Sequence, residues 1–157
     1  PPPPPHTSPT RRSSDLVTVV TGAGFQAHEQ VSEFCSQAGY EHLHDVQNMS
    51  QLMAESRFAI AAAGTTAFEL AFSGVPTIFA LVADNQERSV KDLCRHGWCH
   101  YIDCREQNRP DELIAVAEKM LVFPKLLQLS RIAHHLVDVK GARRVAAAIK
   151  QMADSFS

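Results

Sequence analysis

Short apolar and polar blocks alternate along the chain, and they predict strands and helices in turn. Apolar runs at 16–21, 58–62, 77–82 and 98–102 have the length of strands, and a further short strand is predicted at 40–44. Apolar residues at helical spacing and helix-start signals predict helices at about 26–38, from 48 or 50, from 65 to 73, from 85, and at 110–121, 124–136 and 142–153. This alternation is typical of an α/β fold, a Rossmann-like parallel sheet with helices on both faces.

The stretch from Phe58 to Gln86 carries the clearest pattern in the sequence. Its first apolar run, 58–62, does not alternate with polar residues, which predicts a strand buried on both faces. Gly64 would let the chain turn sharply, and the Thr65 side chain could cap the next helix. A small-residue turn before a helix, at the carboxyl end of a buried parallel strand, is a suitable place for an anionic ligand.

Two polar features of this stretch allow more than one interpretation. Glu69 is the only charged residue between Arg57 and Asp84. It is either a carboxylate at a solvent edge or an acceptor for a ligand with hydroxyl groups. The tripeptide 84–86 follows the next strand and should lie at the same edge of the sheet. Asp84 followed by Glu87 also fits a capping box at a helix start, and both roles can hold together.

Composition and charge narrow the class of protein and its partners. The chain has 157 residues, of which 45% are hydrophobic and 20% charged, with a net charge of −2. We expect one soluble domain, and the lack of a basic cluster argues against nucleic acid or an anionic membrane as a partner. No apolar run has the length of a membrane span. Four cysteines without disulfide-scaffold spacing or a secretory signal favour a reducing cytoplasm.

Two further motifs raise the question of metal or phosphate binding. The segment 94–104 contains five cysteine and histidine residues, but their spacing fits no zinc motif, and buried thiols are the favoured interpretation. We therefore expect no metal site. The loop at 22–24, Gly-Ala-Gly, is an incomplete G-x-G-x-x-G because residue 27 is alanine. A plain strand-to-helix corner explains that loop at least as well as a phosphate loop.

Three segments, in this order, resemble the nucleotide-sugar signature of the GT-B superfamily: 62–69 (Ala-Ala-Gly-Thr-Thr-Ala-Phe-Glu), 74–76 (Gly-Val-Pro) and 84–86 (Asp-Asn-Gln). The closest pattern is that of the PseG-type UDP-sugar hydrolases, followed by the related MurG-type glycosyltransferases. The segments 45–49 (Asp-Val-Gln-Asn-Met) and 136–142 (Leu-Val-Asp-Val-Lys-Gly-Ala) fit the PseG-like pattern too. The resemblance covers most of residues 17–149.

This resemblance implies the C-terminal half of a GT-B fold and the UDP-binding half of a nucleotide-sugar hydrolase. Such an enzyme releases UDP from a UDP-linked diacetamido-trideoxyhexose in pseudaminic acid biosynthesis, without a cofactor. A MurG-like glycosyltransferase domain and a non-catalytic nucleotide-sugar-binding domain remain alternatives. The catalytic base of the hydrolases is expected in their N-terminal domain. The implied partners are thus the UDP-sugar and the protein's own N-terminal domain, and the fragment alone should be inactive.

The resemblance assigns the diphosphate and ribose contacts to one segment. Gly64, Thr65 and Thr66 match the turn and helix start that hold the UDP diphosphate in the family. Glu69 matches the glutamate that binds the ribose hydroxyls, and its acceptor-only carboxylate suits a diol that donates two hydrogen bonds. Ala63 departs from the pattern, because many members have glycine there, and it adds a methyl group near the phosphates.

The resemblance places the uracil and sugar contacts elsewhere in the chain. The backbone of Val46 matches the position that reads the uracil edge. Asn85 and Gln86 match an Asn-Gln pair that faces the diphosphate or the sugar. Val139 departs from the pattern, because it replaces a common glycine in the family's Asp-Gly motif.

Residues 1–16 are expected to be disordered and to lie outside the fold. They begin with five prolines and have no apolar periodicity, and residues 10–16 correspond to one translated frame of a common sequencing adapter. We interpret them as non-native, with residues 17–157 as a partial C-terminal nucleotide-sugar-binding domain. The GT-B resemblance then implies that the first central strand is lacking, between the strands at 17–21 and 58–62, which would leave two strand edges unpaired. Resequencing the locus tests this interpretation.

Overall fold

Strands and helices alternate along the described part of the chain, as predicted. The structure, a computed structural model, describes residues 17–155 apart from the side chain of Phe123, so the prediction for residues 1–16 lies outside the described residues. The elements are β1 (Thr18–Thr21), α1 (His28–Ala38), β2 (Glu41–His44), α2 (Met49–Glu55), β3 (Ala59–Ala62), α3 (Thr66–Phe72), β4 (Thr77–Leu81), α4 (Asp84–Cys94), β5 (Cys99–Asp103), α5 (Pro110–Met120), α6 (Phe123–His134) and α7 (Gly141–Ser155).

The chain divides after Met49 into two compact units. In the first unit, β1 and β2 form a parallel pair in which Val19 lies opposite His42. The helix α1 buries only Cys35 fully, and Phe34 is 63% exposed. The first unit is therefore thinly packed among the described residues.

The second unit is built on a three-stranded parallel sheet with β4 in its centre. The sheet has the order β3-β4-β5, and Ala62 pairs with Ala80 while Leu81 pairs with Asp103. Because the strands are parallel, all three end at the same edge. The loops that follow them are therefore brought to one edge of this sheet, as the sequence predicted.

The prediction that the strand at 58–62 is buried on both faces is wrong for β3, and the buried strand of the sheet is β4. Every residue of β4 except Ala80 is buried. In β3 half-buried and exposed residues alternate, and Ile60 is 52% exposed. The difference arises because β3 pairs on one side only within residues 17–155, as β1 does, whereas β4 has a strand on each side.

Apolar residues on both faces of β4 form the core of the second unit. Ile78 packs with Ile102 of β5, Met120 of α5 and Leu129 of α6. The next residue, Phe79, points to the opposite face and meets Trp98 edge-to-face, with ring centroids 5.8 Å apart. Within the described chain, no helix combines the length and apolar character needed to cross a membrane.

A glycine closes α3 at the point where α6 packs against it. Gly74 has a φ of +69°, and the Nδ1–H of His134 donates to the carbonyl oxygen of Phe72 over 3.0 Å. A Cβ at residue 74 would lie 2.3 Å from the Nε2 atom of His134. Backbone conformation thus favours glycine here, and a Cβ would also displace the exposed imidazole ring of His134. Gly97 has a similar φ of +78°, but a Cβ there would meet no atom within 4 Å.

We expect Gly74→Ala to lower the free energy of unfolding more than Gly97→Ala does. Both variants force alanine into the left-handed region, which costs about 1–2 kcal/mol. Only Gly74→Ala also displaces His134, and losing its hydrogen bond costs about 1 kcal/mol more. Urea unfolding followed by the fluorescence of Trp98, the single tryptophan, measures both values. Equal losses for the two variants would contradict the close packing of His134 on Gly74.

Candidate functional site

The turn after β3 exposes backbone groups at the carboxyl edge of the sheet. The N–H of Gly64 donates to the carbonyl oxygen of Ala62 over 2.8 Å, and Gly64 in turn accepts from the N–H of Ala67. The first N–H groups of a helix have no acceptor inside it. The turn satisfies the N–H groups of Ala67 and Phe68, whereas those of Thr65 and Thr66 have no acceptor within residues 17–155 and can serve a ligand.

Two sequence predictions about this turn are wrong in detail. Thr65 occupies the N-cap position of α3, but its φ of −59° and ψ of −29° are helical, and its side chain makes no capping hydrogen bond. Gly64 is not among the residues with positive φ, so the turn does not require its conformational freedom. The absent side chain instead leaves space, because a Cβ at Gly64 would meet no atom within 4 Å. The backbone of the turn is therefore open to a ligand.

Glu69 lies in the first turn of α3 and is exposed. Its backbone carbonyl accepts from the N–H of Ser73, while its carboxylate has no ion pair or hydrogen bond within residues 17–155. Exposure agrees with the solvent-edge interpretation. It also leaves both carboxylate oxygens available to hydroxyl donors, so the ligand interpretation stays compatible with the same geometry.

The start of α4 lies at the same edge as the turn after β3. Ala83, in an extended conformation, holds the N-cap position, so Asp84 is the first helical residue and the predicted capping box is wrong. The side-chain oxygen Oε1 of Gln86 accepts from the N–H of Val82 over 3.2 Å. Asn85 is exposed and Gln86 half-buried. Gln86 thus braces the connection from β4 and keeps its amide N–H groups for another partner.

A charge cluster that the sequence analysis missed ties α4 to the end of β5. One guanidinium, that of Arg105, donates to Asp84 over 2.6 Å, to Glu87 over 2.9 Å and to Asp103 over 2.6 and 2.9 Å. The partners on α4 lie 18 and 21 residues away in sequence. The available signal was topological, because acidic and basic residues that follow neighbouring parallel strands meet at one edge.

These contacts shift the ionisation of the groups involved. Hydrogen bonds from the side chain and the backbone of Arg105 lower the pKa of Asp103 to about 2. The pKa of Glu87 is also lowered, first by its hydrogen bond with Lys91 and then by that with Arg105. Hydrogen bonds with Asp103, Asp84 and Glu87 raise the pKa of Arg105, whose single positive charge thus faces three carboxylates.

A polar cavity of about 490 Å³ opens beside this cluster. Its lining residues come from the start of α4, the end of β5 and the loop after β5, and they are Asp84, Asp103, Arg105, Glu106 and Arg109. Arg109 is also within 3.5 Å of Glu112. The cavity therefore contains carboxylates and guanidinium groups that largely neutralise one another.

In the first unit, Val46 follows the end of β2 and is half-buried. The preceding Asp45 has a φ of +52°, which is uncommon for a residue other than glycine, and its N–H donates to the carbonyl oxygen of Thr21 over 2.9 Å. The Thr21 hydroxyl also contacts His42 Nε2 at 2.9 Å and His44 Nδ1 at 3.0 Å. The backbone at Val46 is thus set by a sharp turn beside a polar cluster that the sequence analysis did not predict.

No metal-binding cluster is seen in the described chain: residues 17–155 contain no group of three or more His, Cys, Asp or Glu side chains arranged to hold a metal ion. In the segment that raised the zinc question, the close approach is between two thiols, with Cys94 Sγ 2.9 Å from Cys99 Sγ. Cys99 is buried and His100 exposed, as expected for neighbours on opposite faces of β5.

We expect Arg105→Met to reduce the part of the free energy of unfolding that the protein loses when the pH falls into the acid range. The pKa of Asp103 is lowered from 3.8 to about 2 in the folded state, so this carboxylate stabilises the fold above pH 3.8 and stops doing so as the pH falls to about 2. Without Arg105 the variant should be less stable at neutral pH and should lose less stability across that range. Urea unfolding at a series of pH values measures both effects.

Arg95→Met is the matched control for this prediction. Arg95 lies just after α4 and pairs with the exposed Asp92, so its removal deletes one positive charge without touching Asp103. This control should keep the acid dependence of the unmodified chain. An Arg105→Met curve parallel to that of the unmodified chain would contradict the assigned cause of the Asp103 pKa.

The described fold resembles two solved structures at low sequence identity. MurG of Acinetobacter baumannii matches with a TM-score of 0.72 and 18% identity, over 87% of this chain and 41% of that one. The glycotransferase of kitacinnamycin matches with a TM-score of 0.57 and 18% identity, over 96% of this chain and 47% of that one. At these identities the similarity shows the fold, which is that of the C-terminal half of a GT-B protein. The chain spans less than half of each structure.

The sequence comparisons give a family assignment. No curated protein sequence matches the chain significantly. The profile of the glycosyltransferase family 28 C-terminal domain matches residues 7–149, which is well over half of the chain. The chain therefore belongs to the glycosyltransferase family 28 C-terminal domain family.

Proposed function

We propose that this domain holds the UDP-sugar donor in a glycosyltransferase of MurG-like architecture. The observation that carries the proposal is the family match over residues 7–149, together with a fold whose polar loops gather at the carboxyl edge of a parallel sheet. This favours the transferase over the PseG-type hydrolase that the sequence motifs placed first. The proposed compartment is the cytoplasm, and acceptor binding and chemistry would need the remainder of the enzyme.

The proposed diphosphate contacts are backbone amides. The N–H groups of Thr65 and Thr66 are available beside the open space at Gly64. The guanidinium of Arg105, at the α4 edge, is already engaged by three carboxylates and is a poor choice for neutralising a diphosphate. Fixed N–H donors would stabilise the negative charge that develops on the leaving UDP.

The proposed ribose and sugar contacts are side chains on the two helices that follow β3 and β4. The Glu69 carboxylate can accept two hydrogen bonds from the ribose diol. Asn85 and the amide nitrogen of Gln86 would face the diphosphate or the sugar. By the family resemblance alone, the backbone of Val46 is the proposed uracil contact.

The exposed apolar face of α7 supports the protein's own N-terminal domain as a partner. Val145, Ile149 and Met152 follow one another at helical spacing and are all exposed. No residue of α7 is buried within the described chain. Exposing an apolar stripe of this kind to water is unfavourable in free energy. A neighbouring domain packed against α7 would cover it.

We expect Glu69→Ala to weaken UDP binding at least about tenfold, as measured by isothermal titration of the full-length protein. A hydrogen bond to a charged acceptor contributes about 1.5–3 kcal/mol. Glu118→Ala removes an equally exposed helical glutamate on α5 and should bind UDP like the unmodified protein. If UDP binds equally well to Glu69→Ala, or to none of the proteins, the site assignment is wrong.

The rate at which the full-length protein releases UDP distinguishes the two candidate reactions. The second candidate, the PseG-type hydrolase of UDP-linked diacetamido-trideoxyhexose, is favoured by the segments 45–49 and 136–142. A hydrolase should release UDP from its sugar nucleotide in water alone. A transferase should release UDP at an appreciable rate only when an acceptor is added, and a purely binding domain should not release it at all. Measured UDP release with and without acceptor decides between them, and release in water alone would overturn the transferase proposal.

A further inference from the structure

Two thiols face each other where α4 passes into β5. Cys94 is the last residue of α4 and Cys99 the first of β5, and their Sγ atoms are 2.9 Å apart. A tight turn brings them together, with Gly97 at a φ of +78° and its N–H donating to the carbonyl oxygen of Cys94 over 2.9 Å. The sulfur atoms need to approach by less than about 1 Å to reach the length of a disulfide bond.

We propose that Cys94 and Cys99 are a site of reversible oxidation and form an intramolecular disulfide with glutathione disulfide as the oxidant. The Cys94 thiolate attacks one sulfur of glutathione disulfide, whose S–S bond breaks and releases one glutathione. Cys99 gives up its proton and attacks Cys94 Sγ, which releases the second glutathione. Two protein thiols are oxidised and one glutathione disulfide is reduced, so the two electrons balance.

The different surroundings of the two thiols set the order of these steps. Cys94 is half-buried and can be reached from solvent, whereas Cys99 is only 3% exposed. The hydrogen bond with Cys94 and burial raise the pKa of the Cys99 thiol, which makes it a poor first nucleophile. Cys94 is therefore the thiol that meets the oxidant, and Cys99 resolves the mixed disulfide from within.

The other cysteines have no such neighbour. Cys35 is buried in the first unit, and Cys104 lies after the far end of β5. Within residues 17–155 the described thiol contact is the one between Cys94 and Cys99. In the reducing compartment that the sequence predicts, this pair would rest as free thiols and would oxidise only when glutathione disulfide accumulates.

Peptide mapping of the oxidised chain tests the proposal directly. The protein is treated with glutathione disulfide, its remaining thiols are blocked with N-ethylmaleimide, and it is digested with trypsin without reduction. Cleavage after Lys91, Arg95 and Arg105 places Cys94 and Cys99 on different peptides, 92–95 and 96–105. We expect these two peptides to be joined, with a mass two hydrogen atoms below their sum plus that of one N-ethylmaleimide on Cys104.

Cys104→Ser is measured beside the unmodified chain, because Cys104 shares the peptide 96–105 with Cys99. The joined peptides should persist in Cys104→Ser. Cys99→Ser should lose them and keep one glutathione on Cys94. Failure to join in Cys104→Ser, or a stable glutathione adduct on Cys94 of the unmodified chain, would overturn the proposal.

A second variant covers the case in which Cys99→Ser does not fold. In folded Cys94→Ser, the buried Cys99 should resist both glutathione disulfide and N-ethylmaleimide until urea is added. Rapid labelling of Cys99 in the native Cys94→Ser protein would contradict the assigned order, because it would make Cys99 directly accessible to the oxidant.

Discussion

The hydrogen bonding of β4 between β3 and β5 is the constraint on which the second unit depends. Its register pairs Ala62 with Ala80 and Leu81 with Asp103, so the strands end within a few residues of one another at the same edge. The chain then leaves that edge through the turn at 63–66, the start of α4 and the loop after β5. Every candidate contact of the second unit follows from this arrangement, because each lies within the first turn or two after a strand.

Arg105 fixes the position of the start of α4 against the end of β5. Its guanidinium holds carboxylates from α4 and from the end of β5, so the helix start and the strand end are linked by charge-assisted hydrogen bonds. The same contacts already neutralise the positive charge of the Arg105 guanidinium. A ligand with negative charge therefore gains little from Arg105 itself, and the proposal assigns the diphosphate to backbone N–H groups near Gly64 instead.

The sequence predicted element order and type well, and it predicted burial and side-chain partners less well. The apolar runs of β3 and β4 look alike, yet only β4 is buried, because burial depends on how many strands and helices lie beside a strand. Thr65 and Asp84 are both residue types that often cap helices, but neither makes a capping hydrogen bond. The Thr65 backbone is already helical, and the Asp84 carboxylate accepts from Arg105 instead. That cluster joins residues distant in sequence and could be anticipated only from strand order.

The polar groups at the edge of the second unit's sheet limit which role this domain can have in the proposed enzyme. Around the edge of the second sheet it provides N–H donors at Thr65 and Thr66 and acceptors at Glu69, which suit a diphosphate and a diol. The nearby acidic and basic groups are paired with one another, and pairing holds the pKa of Asp103 below and that of Arg105 above its ordinary value. A group that must exchange a proton during turnover needs a pKa near neutrality, which these pairs oppose. The Arg105 cluster is thus suited to fixing the geometry of this edge and not to exchanging a proton.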